Sequence, residues 1–214
     1  MMRVFTYRPA FVAMLFLGLV SLAGCSNQPR AVALPSVNTR RVAAFALEHY
    51  DADHNGAIDA TEIASCPPLA AALSNYDADN NGQLSAQEIE DRMTQLYGSS
   101  ASLASVKCTV LLSGRPLRGA VVTFRPVEML QSSIKPAQGT TNDSGVARMT
   151  LSAEDLPADL HGARLVQPGL YHVEIVHPTI VIPPRYNTST ELGFEVDQSK
   201  ERTGTSARFD LKPK

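Results

Sequence analysis

The sequence predicts a multidomain protein in which an α-helical segment is followed by an all-β segment, a seven-stranded antiparallel β-sandwich. Apolar residues recur at helical spacing around two similar twelve-residue stretches within residues 40–97. Seven short runs of alternating character, separated by turn signals, then fill residues 106–214. Charge divides in the same way, because residues 40–97 carry three basic and ten acidic side chains whereas residues 106–214 carry thirteen and eleven. The formal net charge of the whole chain is only −2.

The N-terminal segment has the charge order of a secretory signal. Arginines at positions 3 and 8 precede an apolar run, residues 10–20, that is too short to span a membrane. The following Leu-Ala-Gly-Cys, ending at Cys25, resembles the lipobox of bacterial lipoprotein precursors. The resemblance implies that residues 1–24 are removed and that Cys25 carries the lipid, and Ser26 implies the outer membrane. An ordinary signal peptide with a chance cysteine is the alternative, and residues 25–39 are predicted to be a tether.

Two stretches, residues 51–62 and 77–88, repeat one spacing of oxygen donors. Calcium takes six to eight oxygens in a flexible shell, so a short loop binds it by offering a donor at nearly every second residue. Gly56 and Gly82 occupy position 6, where the chain must turn sharply. The pattern predicts two calcium ions. The donors at positions 1, 3, 5, 7, 9 and 12 are Asp51, Asp53, Asn55, Ala57 (backbone), Asp59 and Glu62 in the first loop, and Asp77, Asp79, Asn81, Gln83 (backbone), Ser85 and Glu88 in the second.

These loops and their flanking helical periodicity resemble the EF-hand family over residues 40–97. Ile58 and Leu84, at position 8 of each loop, are expected to meet in a short two-stranded contact. Pro67 and Pro68 shorten the helix that leaves the first loop, and the two loops start only 26 residues apart. We therefore expect a compact structural or buffering pair rather than a signalling switch, with tighter binding in loop one because Asp59 is a fourth carboxylate. A merely solvated acidic surface is the alternative.

Residues 98–105 are predicted to be a linker, and the predicted strands follow it. Four segments of this half, residues 114–124, 139–145, 168–175 and 182–187, resemble the carboxypeptidase regulatory-like, transthyretin-like domains of bacterial envelope proteins. The resemblance implies a fold and a setting rather than a reaction. The predicted strands are residues 106–112, 120–127, 135–141, 146–152, 170–177, 191–197 and 207–211.

Cys66 and Cys108 remain as a pair once Cys25 is lipidated. In an oxidising compartment they could form a disulfide that joins the two segments, and two free buried thiols are the alternative.

No catalytic motif and no basic stripe for nucleic acid occurs in the sequence, so we expect a protein that is not an enzyme. The predicted function is calcium binding by a lipid-anchored envelope protein with a structural or interaction role. Two alternatives stay open. The first is a binding module for a polysaccharide or protein partner that calcium makes rigid, and the second is an accessory subunit of an envelope enzyme.

Overall fold

The computed structural model describes residues 1, 36–98, 103–198 and 205–213, which contain four α-helices, three single-turn 3₁₀-helices and eleven strands. The predicted lipidation site Cys25, the signal-peptide cleavage site and residues 25–35 of the tether lie outside these ranges. No helix within the described ranges is long and apolar enough to cross a membrane.

The helices occupy the N-terminal half of the described chain and enclose two loops. Asn38 caps the first helix by accepting a hydrogen bond from the Arg41 backbone N–H. The second helix has only four residues, and Pro67 and Pro68 open the third helix, where a missing N–H is tolerated. The prediction of a shortened helix after the first loop is thus confirmed. The helices are α1 (Thr39–Tyr50), α2 (Ala60–Ile63), α3 (Pro67–Tyr76) and α4 (Ala86–Tyr97).

The strands form three sheets. A two-stranded sheet joins the two loops, a five-stranded sheet has the order β10-β9-β5-β6-β8, and a further sheet has the order β11-β3-β4, with β7 also paired to β3. The strands are β1 (Ala57–Ile58), β2 (Leu84–Ser85), β3 (Val106–Leu112), β4 (Arg115–Pro116), β5 (Val121–Pro126), β6 (Ala137–Thr140), β7 (Val146–Arg148), β8 (Thr150–Leu151), β9 (Gly169–Val176), β10 (Gly193–Val196) and β11 (Thr205–Leu211).

Every run that the sequence predicts as a strand contains one, but the sheets are not purely antiparallel. Strand β11 pairs with β3 in parallel register, from Thr205 opposite Val106 to Leu211 opposite Leu112. The predicted run 146–152 is divided at Met149 into β7 and β8, which belong to different sheets. Met149 is fully buried between them, and its backbone N–H bonds to the Val106 carbonyl. The architecture is therefore a mixed arrangement of helices with antiparallel and mixed sheets.

Helices and sheets share one continuous hydrophobic core, and the described residues from 36 onwards belong to one compact unit. Helix α3 lies on β10 and β9, and α1 packs against α4. Gly193 of β10 permits this approach, because a Cβ at that position would collide with the Pro67 and Pro68 backbone. The Tyr97 hydroxyl donates a hydrogen bond of 2.8 Å to the Pro168 carbonyl.

The described end of the predicted linker is part of the core. Leu103 and Ala104 are buried, and Ala104 exchanges two backbone hydrogen bonds of 2.8 and 2.9 Å with Val166. These two residues are therefore held by burial and by backbone hydrogen bonds to Val166.

Candidate metal centres

The first candidate centre lies in the loop between α1 and α2. Carboxylate oxygens of Asp51, Asp53 and Glu62 lie within 4.8 Å of one another. Asp51 ends α1, its backbone N–H bonding to the Leu47 carbonyl, and the residue is only 5% exposed. A helix end therefore fixes the first donor of the loop.

Backbone amides of the first loop orient its carboxylates. Asp51 accepts hydrogen bonds from the Asn55 and Gly56 N–H groups at 3.1 and 2.9 Å. Glu62 reaches back across the loop and accepts from Ala52 at 2.6 Å. Gly56 has φ +92°, a conformation that suits glycine, so the turn at position 6 depends on that residue. His54 also has a positive φ, of 58°.

The second candidate centre lies between α3 and α4 and repeats this geometry. Carboxylate oxygens of Asp77, Asp79 and Glu88 again lie within 4.8 Å of one another. Asp77 accepts from the Asn81 and Gly82 N–H groups, both at 3.0 Å. Gly82 has φ +80°, and Asn80, the counterpart of His54, has φ 59°. Two loops of different sequence thus adopt one backbone conformation.

A short antiparallel pair of strands joins the two loops. Ile58 lies opposite Leu84, and Ala57 lies opposite Ser85. Both apolar side chains are fully buried, which confirms the predicted contact between positions 8 of the loops. The two candidate centres therefore form one paired structure with a common core.

The predicted donors at position 9 are also helix caps. Asp59 caps α2 and accepts from the Thr61 and Glu62 N–H groups at 2.8 and 3.0 Å. Ser85 caps α4 by accepting from the Glu88 N–H at 3.3 Å, and each cap forms a reciprocal capping box with the glutamate three residues later. Neither Asp59 nor Ser85 belongs to the carboxylate clusters, which consist of positions 1, 3 and 12.

The asparagines at position 5 are oriented by their own loops. The Asn55 side-chain oxygen accepts from the Ala57 N–H at 2.9 Å, and its amide nitrogen donates to Asp53 at 3.0 Å. Asn81 makes the same pair of contacts, with the Gln83 N–H at 2.7 Å and with Asp79 at 2.9 Å.

Electrostatics favour a cation at both centres. Within the described ranges, no lysine, arginine or histidine forms an ion pair with any of the six clustered carboxylates. Like charges this close repel one another, and a bound cation would remove that repulsion. Partial burial acts to raise the pKa of Glu88, but hydrogen bonds from Ser85, Ala78 and Asp79 outweigh it and lower that pKa. The clustered donors are all oxygens, which suits a hard divalent cation.

Sequence reasoning did not find a buried ion cluster beside the second loop. Arg92 of α4 contacts Glu195 of β10 at 2.6 Å and Asp197, just after β10, at 2.8 Å. The side chains are 10%, 4% and 7% exposed, respectively. A signal was present, because Arg92 lies among the apolar positions of a helix that otherwise buries Ile89 and Met93.

A second polar contact joins the residue before the first loop to the segment that follows β5. The Tyr50 hydroxyl, from the residue before Asp51, donates to the Glu128 carboxylate at 3.1 Å. The buried His172 ring of β9 lies 3.5 Å from the same carboxylate. Nothing in the local sequence around residue 50 indicates these partners, which are 78 positions or more away.

The predicted disulfide between Cys66 and Cys108 is wrong, because both are free, buried thiols. Cys66 directly precedes α3, which lies against the five-stranded sheet, whereas Cys108 is in the middle of β3 in the other sheet. Burial raises the pKa of the Cys108 thiol to about 12 and also raises that of Cys66. Both thiols are therefore protonated and unreactive at neutral pH.

Comparisons with known proteins add little to this geometry. No family model and no curated protein matches the chain. One similar solved structure is the TIE protein of Bacillus anthracis, with 21% sequence identity and a TM-score of 0.29. The match covers 51% of this chain and 16% of that one, so it carries no argument about fold or function.

Proposed function

We propose that this chain binds two calcium ions through an EF-hand pair and that the bound ions hold the acidic helical half in place on a β-sandwich. The observation that carries the proposal is the repetition of one loop geometry. In each loop, carboxylate oxygens from positions 1, 3 and 12 lie within 4.8 Å of one another, and the glycine at position 6 has a positive φ. The resemblance to the EF-hand sequence pattern supports calcium as the ion.

Calcium suits these loops better than magnesium does. A glutamate at position 12 offers two carboxylate oxygens, and the loop carbonyls and side chains can complete a shell of more than six donors. Magnesium requires near-octahedral geometry and retains several waters. Modules that work outside the cytosol bind calcium with dissociation constants of about 10⁻⁴–10⁻³ M, and we expect this range here.

The protein's role is structural or interactive rather than signalling. A sensor would need its helices to separate and expose an apolar groove. In this chain α3 is already covered by β10, and α4 is bound to the same strand through Arg92. Calcium would therefore stabilise an existing arrangement of helices and sheets.

Isothermal titration of the full chain in mild detergent tests the proposal. We expect two calcium ions per chain, one ion for Glu62→Gln, one for Glu88→Gln, and none for the double variant at millimolar calcium. Terbium provides an independent readout, because the chain has no tryptophan and Tyr50 and Tyr76 directly precede the two loops. Absence of calcium uptake by the unmodified chain at millimolar concentration would refute the proposal.

We propose further that the chain is anchored in the cell envelope by lipid at Cys25, which the resemblance to the lipobox supports. Several acyl chains on one residue anchor a protein stably in a membrane, whereas a single acyl chain gives only marginal binding. Metabolic labelling with palmitate in bacteria should label the chain of native sequence and leave the Cys25→Ala variant unlabelled. Equal labelling of both chains would refute this location for the lipid.

A polysaccharide-binding role is the second candidate, and one surface feature favours it. A groove of about 700 Å³ lies on the five-stranded sheet, lined by Thr123, Gln138, Thr140, Thr150 and Arg164 among others. Hydroxyls, an amide and one guanidinium suit an acidic oligosaccharide. Arg164 has no ion-pair or hydrogen-bond partner within the described ranges. Uronic-acid oligosaccharides should then bind the unmodified chain and bind Arg164→Ala at least tenfold more weakly, whereas equal binding would exclude the groove.

A further inference from the structure

One carboxylate of the five-stranded sheet receives hydrogen bonds from both helices that flank the second loop. The Asn75 side chain of α3 donates to Glu195 Oε2 at 2.6 Å. Arg92 of α4 donates to the same carboxylate twice, from Nη2 to Oε2 at 2.6 Å and from Nε to Oε1 at 3.1 Å. We refer to Asn75, Arg92 and Glu195 as the Glu195 bridge.

The Glu195 bridge lies very near the ends of the second metal loop. Asn75 is two residues before Asp77, the first predicted ligand, and Arg92 is four residues after Glu88, the last. One helical turn separates Glu88 from Arg92, so a fixed Arg92 limits where the Glu88 backbone lies. The bridge thus ties together the two sides of the loop from outside it.

Burial makes the Glu195 bridge stiff. The Glu195 side chain is 4% exposed, and Asp197 supplies a second buried acceptor to Arg92 at 2.8 Å. Charge-assisted, bidentate contacts of this kind have a fixed geometry, and one partner cannot leave without stranding the others in the interior. Burial disfavours the Arg92 cation, but the two carboxylates outweigh that effect and raise its pKa, so the guanidinium stays charged.

We propose that Glu195 is a positioning residue for the second metal site. By holding α3 and α4 at one separation, it fixes the distance between Asp77 and Glu88 before an ion arrives. A loop that is already in its binding conformation loses less conformational freedom on binding and so binds more tightly. This inference rests on the proposed calcium binding of the same loop, and it makes the sheet a determinant of calcium affinity.

The first loop provides an internal comparison, because within the described ranges no equivalent bridge joins its flanking helices to a sheet carboxylate. Among the described residues, the hydroxyl of Tyr50 in its entering helix donates a hydrogen bond of 3.1 Å to Glu128, which lies after β5. Its leaving helix, α2, has four residues, and in the part of the chain that the structure describes their side chains donate no hydrogen bond to either large sheet. Loss of Glu195 should therefore affect the two sites unequally.

Calcium titration of single-site backgrounds of the full chain tests the inference. Glu62→Gln leaves only site two, and Glu88→Gln leaves only site one. Adding Glu195→Gln to the first background should weaken calcium binding about 5- to 150-fold, the usual range of coupling between sites. Adding it to the second background should change binding less than twofold. Glu128→Gln in the Glu62→Gln background is the matched control and should leave site two unchanged.

Two results would overturn the inference. The first is a calcium affinity of the Glu62→Gln protein that does not change when Glu195→Gln is added. The second is an equal loss of calcium affinity at both sites, which indicates general destabilisation. Asn75→Ala is the second variant for the case in which Glu195→Gln does not fold, because it leaves the contacts between Arg92 and Glu195 in place. It should weaken site two in the same direction, and no change would again overturn the inference. If Glu62→Gln itself binds no calcium at millimolar concentration, calcium binding by loop two is refuted directly, and the inference falls with it.

Discussion

Replacement of Gly193 by alanine tests whether α3 is seated on β10. A Cβ at residue 193 would lie within 2.6 Å of the Pro67 carbonyl carbon and closer still to the Pro68 nitrogen and Cα. Non-bonded Cβ contacts under 3.0 Å essentially do not occur. Because the atoms in the way are backbone, no side-chain rotation relieves the collision, and α3 must move away from the sheet.

The expected magnitude follows from the cost of overpacking. Extra methyl groups in a close-packed contact cost about 1–3 kcal/mol, and rigid backbone neighbours favour the upper end of that range. For a chain of 214 residues, each kcal/mol lowers the melting temperature by about 2–4 °C. We therefore expect Gly193→Ala to melt roughly 2–12 °C below the unmodified chain.

Thermal and urea unfolding in saturating calcium, followed by circular dichroism, provide the assay. Gly193 does not have a positive φ, so backbone strain does not add to the effect. Glu191→Ala, an exposed change two residues earlier, is the matched control and should stay within about 0.5 kcal/mol of the unmodified chain. A Gly193→Ala protein with an unchanged melting temperature would refute the close packing of α3 on β10.

Three further predictions concern the loops, one histidine and the cysteines. At position 9, Asp59→Ser should weaken calcium binding at the first site and Ser85→Asp should strengthen it at the second, because the number of charged ligands tunes calcium affinity. Calcium titration of single-site backgrounds measures both affinities. Burial lowers the pKa of His172 below its ordinary 6.5, against the opposing pull of a nearby carboxylate. Below pH 6.5 the unfolded chain therefore binds more protons at this residue than the folded chain does, so the free energy of unfolding should fall as the pH falls. His172→Gln should reduce this dependence of the unfolding free energy on pH, as urea titrations at several pH values would measure. Cys66 and Cys108 should resist alkylation in the native protein and react fully in denaturant, as mass spectrometry would report.

Each of these predictions has a clear contrary result. Unchanged affinities after the position 9 exchange would mean that the two side chains act only as helix caps. A free energy of unfolding that increases as the pH is lowered from 6.5 to 5.5 would contradict the pH dependence expected for His172. Rapid alkylation of either cysteine under native conditions would contradict its burial.

The two loops were predictable because their conformation is local. Hydrogen bonds such as Asn55 N–H to Asp51 and Gly82 N–H to Asp77 join residues four or five positions apart. A twelve-residue spacing of donors and glycines is therefore enough to indicate the loop backbone. The capping boxes of Asp59 and Ser85 are equally local, since each joins a cap to the glutamate three residues on.

Strand positions were also predictable, whereas strand partners were not. Alternation of buried and exposed residues is a property of each run, and it located β3 at the residues expected. The parallel pairing of β11 with β3 joins residues about a hundred positions apart, and no local pattern reports it. The exchange of sheets at Met149 likewise depends on the Val106 carbonyl, far away in the sequence.

The sequence by itself determined the two acidic loops, the helical character of the segments around them and the positions of the alternating strands, because each is marked by a residue pattern within about a dozen positions. Only the tertiary structure decided how these parts meet. The Glu195 bridge joins residues 120 and 103 positions apart, and the two free cysteines lie in different elements, Cys66 at the start of α3 and Cys108 in β3. Such contacts form when chain segments fold onto a common core, and their partners are selected by burial and charge across that core rather than by neighbouring residues.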